Sequence, residues 1–306
     1  QGLFSVQSAA AAQATDEQLT ALSEVKGSSK ELGYSVLITG STKGVGQALA
    51  EQHLQQGDRV IITSRSPERV SETVTKLRKK YGADRVVGLA CNVCKPGDVT
   101  ALAEYAVKSF GKIDIWINNA GTNAYYYGPL ADANEADLAA IVETNMLGVM
   151  LCCKEAIRVM RKQSNGGHIF NMDGAGADGN ATPRFAAYGA TKRGLQQFSK
   201  SLQAELKMQK IENVVVHNLS PGMVTTELLM SGANTPQAKF FINCLAEPPA
   251  HVAEFLVPRV RQVLDSNGNG PTKPTCIQYL TQGKALAQIA GRALFGLRKN
   301  RWVAED

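Results

Sequence analysis

A tyrosine and a lysine lie one helical turn apart in the segment Tyr188-Gly-Ala-Thr-Lys192. Residues at positions i and i+4 share a helix face, so the lysine charge would stabilise the tyrosine anion and lower the pKa of the phenol from about 10. Such a phenol can donate a proton to a developing alkoxide, or remove one from an alcohol, near neutral pH. The spacing alone arises by chance in many helices, so its meaning depends on a glycine-rich turn that precedes it in the chain.

That turn follows a short apolar run, Tyr34-Ser-Val-Leu-Ile-Thr39. It precedes a segment, beginning at Gln47, whose sequence predicts a helix. A strand, a glycine turn and a helix in this order can bind phosphate. Gly40 allows the tight turn, Gly44 lets the backbone approach a pyrophosphate, and Gly46 lets the helix and strand pack closely. The helix N-terminus adds free N–H groups and a positive dipole end. We therefore predict cofactor contacts from Gly40, Ser41, Thr42, Lys43, Gly44, Val45 and Gly46.

The end of the second predicted strand indicates which dinucleotide binds. Arg65 follows this strand, and neither Asp nor Glu occurs between Arg59 and Pro67. A site for NAD usually has a carboxylate here for the ribose 2′-hydroxyl, whereas an arginine suits a 2′-phosphate. Lys43 adds a second cation, although a solvated surface charge is an equal alternative for it. The sequence therefore predicts NADPH as the cofactor.

Strand and helix patterns alternate along the 306 residues, which predicts an α/β fold with a parallel sheet covered by helices on both faces. Strands are predicted near 34–39, 59–64, 85–91, 113–118, 166–172, 212–219 and 275–280. Helices are predicted near 44–56, 67–82, 97–110, 134–163, 184–209 and 248–264. Residues 228–248 are expected to form a flap over the substrate. We divide the chain into a flexible leader (1–33), a dinucleotide-binding and catalytic domain (34–280) and a helical basic tail (281–306).

Composition narrows the function classes. The 44% hydrophobic and 20% charged residues are typical of a globular protein, and no stretch looks long and apolar enough to span a bilayer. The six cysteines and four histidines lack metal-ligand spacing, so we expect no metal. Without a basic groove laced with aromatic residues, we expect no nucleic acid. Apolar residues at helical spacing from Leu286 to Leu297, followed by Arg298 to Trp302, predict a helix packed on the core or lying on an anionic membrane surface.

Taken together, these residues resemble the short-chain dehydrogenase/reductase family. The matching segments occur in the family's order and span about 34–280. They are Thr39-Gly-Ser-Thr-Lys-Gly-Val-Gly46, Asn118-Asn-Ala-Gly121, Asn145 in a long helix, Tyr188 with Lys192, and Pro221-Gly222. The resemblance implies a single Rossmann-type domain, a doubly wound parallel sheet of about seven strands with helices on both faces.

The resemblance also implies roles for individual residues. Tyr188, Lys192 and Asn145 would be catalytic. Lys192 would also bind the nicotinamide ribose, and Asn145 would hold a water molecule that relays protons. Thr225 would bind the carboxamide of the nicotinamide. Asn92 stands where the family usually has an aspartate at the adenine. The further cofactor contacts implied are Val93, Asn119, Ala120, Gly121, Pro221, Gly222 and Val224.

The segment after the fifth predicted strand departs from the family. The family places a serine there to bind the substrate carbonyl, whereas this chain has Asp173 and Gly174 and no serine between Ser164 and Tyr188. Losing such a donor costs on the order of 10²–10³ in rate unless another group replaces it. The candidates are the N–H groups of Gly174 and Ala175, the side chains of Asn180 and Thr182, and Asp173 if protonated or acting through water.

This unusual turn, Asn171-Met-Asp-Gly-Ala-Gly176, together with the segments 186–198 and 218–229, resembles a narrower group, the plastid chlorophyll(ide) b reductases of the non-yellow-coloring type. The resemblance implies NADPH-dependent reduction of the C7 formyl group of chlorophyll b or chlorophyllide b to hydroxymethyl. It further implies a peripheral protein on the stromal side of the thylakoid membrane in the chloroplast. Association as a homo-oligomer or with a paralogous reductase subunit is implied too, with an antenna contact as a further expectation.

A planar macrocycle needs a wide apolar pocket. We expect its walls to come from Tyr125, Tyr126 and Leu228, although a tyrosine cluster that packs a loop on the core is an equal alternative. Two rival functions stay open. One is a reductase of another lipophilic aldehyde or ketone. The other is a non-catalytic NADP(H)-binding partner subunit, which the absent serine favours and the intact tyrosine and lysine oppose.

Overall fold

A seven-stranded parallel sheet organises the computed structural model, which describes residues 33–265 and 273–305. The strands follow the order β3-β2-β1-β4-β5-β6-β7, and each pair of neighbours is parallel. In chain order they are β1 (Ser35–Ile38), β2 (Arg59–Ile62), β3 (Val86–Gly88), β4 (Ile115–Asn118), β5 (Gly167–Met172), β6 (Val214–Ser220) and β7 (Cys276–Gln278). The predicted fold class is confirmed. Residues 1–32, most of the predicted leader, lie outside the described residues.

Helices cover both faces of the sheet. They are α1 (Gly44–Gln55), α2 (Pro67–Tyr81), α3 (Pro96–Phe110), α4 (Glu135–Val142), α5 (Gly148–Met160), α6 (Ala186–Met208), α7 (Glu227–Met230), α8 (Pro236–Leu245), α9 (Pro249–Asp265) and α10 (Gln282–Phe295). A 3₁₀ turn, Leu130–Asp132, precedes α4. The strand order reverses direction between β1 and β4, so loops from both halves of the sheet meet there.

Strand alternation builds one apolar core on each face. Val36 and Ile38 point to the face covered by α1, α2 and α9, whereas Leu37 points to the face covered by α3, α5 and α6. Trp116 on β4 is fully buried on that second face. Because both faces are covered, the strands are nearly continuous apolar runs, as parallel sheets require.

A π-helical turn, Glu143–Leu147, connects α4 to α5 and contains Asn145. By length and composition alone, the combined helix Glu135–Met160 is apolar enough to cross a membrane, so the expectation that no stretch qualifies was wrong. Its buried residues Val149, Cys152 and Ala156 pack into the core beside the sheet. A helix in the core of a globular domain has the same apolar composition as a helix that spans a membrane.

The predicted flap contains the helices α7 and α8, and its last residues are hydrogen-bonded to the residues that directly precede it. Glu247 pairs with Val224 in an isolated bridge, the Thr225 N–H donates to the Glu247 carbonyl at 3.0 Å, and the Glu247 N–H donates to the Met223 carbonyl at 3.0 Å. The backbone of the segment after β6 is therefore fixed from both sides.

The chain end after α10 binds this flap. Arg298 and Arg301 both pair with the buried carboxylate of Glu247, and the Trp302 indole N–H donates to the Ala246 carbonyl at 3.0 Å. The side-chain amide of Asn243 binds the backbone of Trp302 and of the residue after it. The tryptophan and arginines that the membrane alternative assigns to headgroups thus bind the protein's own flap. Apolar side chains of this region do remain exposed: Leu286, Leu294, Phe295 and Leu297.

Candidate active site

A cleft of about 890 Å³ runs along the carboxyl ends of the central strands. Loops that follow β1, β2, β3, β4 and β6 form its walls. Many of the residues predicted from the sequence line it: Gly40, Thr42, Lys43, Gly44, Val45, Arg65, Asn92, Val93, Asn119, Ala120, Gly121, Tyr125, Thr225 and Leu228. Ser41, Gly46, Pro221, Gly222 and Val224 lie behind this lining and support it.

Close packing in the glycine turn explains why it needs glycine. A Cβ at Gly46 would lie 2.3 Å from the Gly40 carbonyl oxygen and 2.4 Å from the Asn119 amide nitrogen, so no other residue fits. Gly44 has a φ of +57°, which favours glycine. The Ser41 hydroxyl accepts from the Thr63 N–H at 2.9 Å and so ties the turn to β2 instead of facing the cleft.

The segment after β6 supports the cleft in the same way. Pro221 and Val224 are buried, and Gly222 has a φ of +71° with Leu280 packed against it. Thr225, predicted to hold the carboxamide, lines the cleft while its backbone N–H is bound to Glu247.

Cations gather at the end of the cleft beside β2. Arg65 lines it together with Ser66 and Arg69, and the Ser66 hydroxyl caps α2 by accepting from the Arg69 N–H at 3.2 Å. Lys43 reaches the same rim, but its ammonium pairs with the Glu227 carboxylate and donates to the Tyr125 hydroxyl at 3.0 Å. The hydrogen bond to Glu227 is the main reason that the pKa of Lys43 is raised. Lys43 is therefore not a free surface charge in this structure.

Asn92 lines the cleft, but its side chain is hydrogen-bonded within its own loop. Its side-chain oxygen, predicted to meet the adenine, accepts from the Cys94 N–H at 3.1 Å. Its own N–H donates to the Asp98 carboxylate at 2.9 Å. Asn92 thus stabilises the turn that begins α3 while it lines the cleft.

Asn145 is fully buried and fastens the loop after β4. Its side-chain oxygen accepts from the Thr122 N–H at 2.8 Å, and its amide donates to the Thr122 carbonyl at 2.9 Å and to the Thr191 hydroxyl at 3.1 Å. These bonds join α6 to the loop that carries Gly121. The π-helical turn places the amide there, in keeping with the frequency of such turns at functional sites.

Tyr188 and Lys192 lie on one face of α6, and neither is among the residues that line the cleft. Tyr188 lines the small neighbouring pocket, whereas the Lys192 ammonium lies 3.7 Å from the position of a Cβ at Gly121, which does line the cleft. The Lys192 ammonium is 5.5 Å from the centre of the Tyr188 ring and donates to the Met172 carbonyl at 2.9 Å. Burial lowers the pKa of Lys192 to about 8. Burial, and then the nearby Asp173, raise the pKa of Tyr188 above its usual value. The predicted lowering of the phenol pKa is wrong for this structure, because the ammonium points at a carbonyl and the phenol is desolvated.

Asp173 and Gly174 take different positions beside this pair. Asp173 is buried, and its carboxylate accepts from the Gln196 amide at 3.4 Å, on α6 one turn beyond Lys192. Gly174 touches the phenol instead: a Cβ there would lie 2.4 Å from the Tyr188 hydroxyl. The structure therefore keeps Gly174 next to the proposed reacting atoms and turns Asp173 towards α6.

The side chains of the three consecutive tyrosines have different surroundings. Tyr125 is half exposed at the rim of the cleft, near Leu228. Tyr126 donates from its hydroxyl to the Pro129 carbonyl at 2.7 Å and lines a small pocket beside Tyr188. Tyr127 packs on Phe185 with ring centres 4.7 Å apart. The cluster thus combines both interpretations: two rings border openings and the third packs a loop.

Three residues at the adenosine end escaped the sequence analysis. Ser66 and Arg69 belong to the first turn of α2, and Ser66-Pro67 after Arg65 is a recognisable helix start that could have indicated them. Glu227 had no such signal, since its approach to Lys43 depends on how the flap folds back over the glycine turn.

Comparison with known proteins gives concordant results. The profile of the family described as short chain dehydrogenase matches residues 34–237. Chlorophyll(ide) b reductase NOL, chloroplastic, of Oryza sativa subsp. japonica is 57% identical over 273 residues, which covers 89% of this chain and 79% of that protein. The protein of the same name from Arabidopsis thaliana is 58% identical over 273 residues, covering 89% of this chain and 77% of that protein.

A solved structure has the same fold. The short chain dehydrogenase/reductase from Burkholderia phymatum in complex with NAD superposes with a TM-score of 0.69 at 22% identity, covering 85% of this chain and 93% of that one.

Proposed function

The chain belongs to the short-chain dehydrogenase/reductase family, and we propose from that premise that it is an NADPH-dependent reductase of the C7 formyl group of chlorophyll(ide) b. The observation that carries the proposal is the 57–58% identity to two chlorophyll(ide) b reductases over most of the chain. The intact pair of Tyr188 and Lys192 on α6 supports it, because a carbonyl reductase needs a proton donor.

The cleft fits a dinucleotide. Gly40 and Gly44 line the cleft where a pyrophosphate would approach, and α1 begins at Gly44. Arg65, Ser66 and Arg69 offer two guanidinium groups and a hydroxyl at the end where a ribose 2′-phosphate would lie. This set supports NADPH over NADH. When bound, the nicotinamide supplies the hydride that reduces the formyl carbon.

The residues of the chain handle the proton and the geometry. Tyr188 donates its proton to the oxygen of the formyl group as negative charge develops there, and the product is a hydroxymethyl group. Lys192 supplies positive charge beside the phenol and binds the ribose. Asn145 holds the loop after β4 against α6 through Thr122 and Thr191, and a relay water at this residue would return a proton to Tyr188.

The macrocycle is proposed to enter between Tyr125 and Leu228 at the rim of the cleft. Tyr126 lines the small pocket that adjoins Tyr188 on the opposite side. These surfaces present flat aromatic and aliphatic groups to a planar ring. Asp173 stays a candidate for substrate contact; it is buried, and its carboxylate accepts a hydrogen bond from Gln196 on α6.

The relatives are named chloroplastic, which supports a chloroplast location for this protein. We propose that it acts at the stromal side of the thylakoid membrane as a peripheral protein, either as a homo-oligomer or with a paralogous reductase subunit. The exposed apolar residues of α10 and of the chain after it, such as Leu294 and Phe295, support a contact with a partner, a membrane or an antenna complex. We retain residues 1–33 as a leader, 34–280 as the catalytic domain and 281–306 as the tail.

The direct test incubates the protein with NADPH and chlorophyllide b and follows both absorption spectra. We expect equimolar loss of NADPH and of the formyl pigment, with a lower KM for NADPH than for NADH. Chlorophyllide a, which carries a methyl group at C7, is the matched control and should leave NADPH unchanged. Oxidation of NADPH by other lipophilic aldehydes but not by this pigment would favour the rival reductase. NADPH binding without turnover of any aldehyde would favour the partner-subunit function.

A further inference from the structure

Asp173 is a buried carboxylate whose surroundings only partly satisfy it. It is 7% exposed, and one of its oxygens accepts a 3.4 Å hydrogen bond from Gln196. The Ser220 hydroxyl also interacts with the carboxylate and lowers its pKa, but the second oxygen is buried and has no partner in good hydrogen-bond geometry among the residues that the structure describes. A buried anion in this condition is costly unless a positive charge lies close to it. The neighbourhood must therefore supply that charge.

Lys192 is the cation that acts on Asp173, although the two side chains lie farther apart than the 4 Å of a direct ion pair. Lys192 is 4% exposed, and its ammonium binds the carbonyl of Met172, the residue immediately before Asp173. Gln196, which binds the carboxylate, follows Lys192 by one turn of α6, so both side chains face the end of β5. The other titratable groups that interact with Asp173 are Tyr188 on α6, Asp178 in the loop after β5 and Cys276 on β7, none of which carries positive charge.

We propose that Asp173 is a positioning residue, the counter-ion that keeps the buried Lys192 ammonium charged, and that it acts on Tyr188 through Lys192. The inference deepens the proposed function, since it rests on Tyr188 and Lys192 being the proton-donating pair. It also gives an acid in this turn a function: the carboxylate binds Gln196 on α6, while Gly174 adjoins the phenol.

Electrostatics support this assignment. Desolvation lowers the pKa of Lys192 to about 8, and Asp173 opposes the fall. Without the carboxylate the pKa of Lys192 would fall further, and the amine would be largely uncharged near neutral pH. An uncharged amine cannot stabilise a tyrosine anion. The carboxylate thus preserves the charge that Lys192 needs for its role.

The same pair predicts a pH dependence. Burial raises the pKa of Asp173 to about 6, so its negative charge is present above that pH and is lost below it. The positive charge on Lys192 is present below pH 8 and is lost above it. Because Asp173 acts only through Lys192, and low pH itself keeps that amine charged, the prediction concerns the alkaline side: the activity should be retained up to about pH 8 and should fall above it.

The test measures the titration of Lys192 directly, by NMR of protein labelled at the lysine ε-carbons, with the signal assigned from Lys192→Arg. In Asp173→Asn we expect the Lys192 midpoint to fall by about one to three pH units. Asp178→Asn, which removes an exposed carboxylate from the same loop, should move it far less. This measurement needs neither pigment nor cofactor, so it can fail while the proposed reductase activity stands.

The pH dependence of the activity is a second test, because a purely structural role of Asp173 would not change it. The alkaline limb of the kcat profile, near pH 8 in the wild-type protein, should move to lower pH in Asp173→Asn. An unchanged Lys192 midpoint in folded Asp173→Asn overturns the proposal. If that variant does not fold, the wild-type protein decides: its Lys192 signal should show an inflection near pH 6 from Asp173, and a titration without that inflection overturns the proposal as well.

Discussion

Two lysines mark the two ends of the cleft, and their surroundings are opposite. Lys43 at the adenosine end has a side chain that is 48% exposed, and its partner Glu227 is more exposed still. Lys192 at the catalytic end is buried between α6 and the end of β5, with a carbonyl and a carboxylate as neighbours. The same side chain is thus solvated in one place and desolvated in the other.

This difference determines what each end can do. Exposed ion pairs contribute little to stability and exchange partners readily, because water replaces whatever leaves. Lys43 can therefore release Glu227 when a phosphate arrives. A buried charge cannot lose its partner without a large cost, so the catalytic end is built as a fixed set whose protonation responds to pH. Changes at the catalytic end should alter rates strongly, and changes at the adenosine end should alter cofactor affinity moderately.

Replacing Tyr188 with Phe should produce the largest effect. It removes the proton donor and leaves the ring, so kcat should fall by about 10²–10⁴-fold while the Kd for NADPH, measured by fluorescence quenching, stays within about twofold. Tyr81→Phe is the matched control, since its hydroxyl accepts an exposed 3.4 Å hydrogen bond from Gln55, at the last residue of α2. Turnover by Tyr188→Phe at the wild-type rate would show that another group donates the proton.

Gly174→Ala should produce an intermediate effect. The added methyl group would lie 2.4 Å from the Tyr188 hydroxyl, so the phenol must move. Overpacking of this kind costs about 1–3 kcal/mol, which corresponds to a fall of about 10–100-fold in kcat/KM. Gly97→Ala, where no atom lies within 4 Å of the added carbon, is the control.

The family's own residue sharpens this test. Gly174→Ser restores a hydroxyl in the turn after β5 and, because of the same contact, should also lower kcat/KM. An increase in kcat/KM instead would mean that the phenol can move to make room for the serine. It would also mean that this turn, in its present form, limits catalysis.

The adenosine end and the sheet were the parts of the molecule most accessible from the sequence. All seven strands were predicted, because they are short and largely apolar segments, most of them rich in β-branched residues. The glycine turn was recognised because its contacts involve the backbone. Gly46 shows this well: the need for glycine follows from close backbone packing that the motif itself encodes. Such features depend on a few consecutive residues.

The catalytic end was less predictable because its properties arise from residues far apart in the chain. The spacing of Tyr188 and Lys192 predicted their shared face correctly, but the sign of the phenol's pKa shift depends on burial and then on Asp173, which follows β5. Glu227 likewise reaches Lys43 from a position 184 residues away. Burial and long-range approach of charges are products of the fold and leave no local pattern.

Arg65→Ser should produce the smallest of these effects and is confined to the cofactor. It removes one cation from the set at the end of β2, and a charge-assisted hydrogen bond to a phosphate contributes about 1.5–3 kcal/mol, so KM for NADPH should rise by about tenfold or more. KM for NADH, which lacks the 2′-phosphate, and kcat with either cofactor should change little. Lys76→Ser removes an equal charge from an exposed position on α2 and should leave both KM values unchanged. Equal losses with NADPH and NADH would place Arg65 away from the 2′-phosphate, and the contrast between the two ends of the cleft would then rest on Lys43 and Arg69 alone.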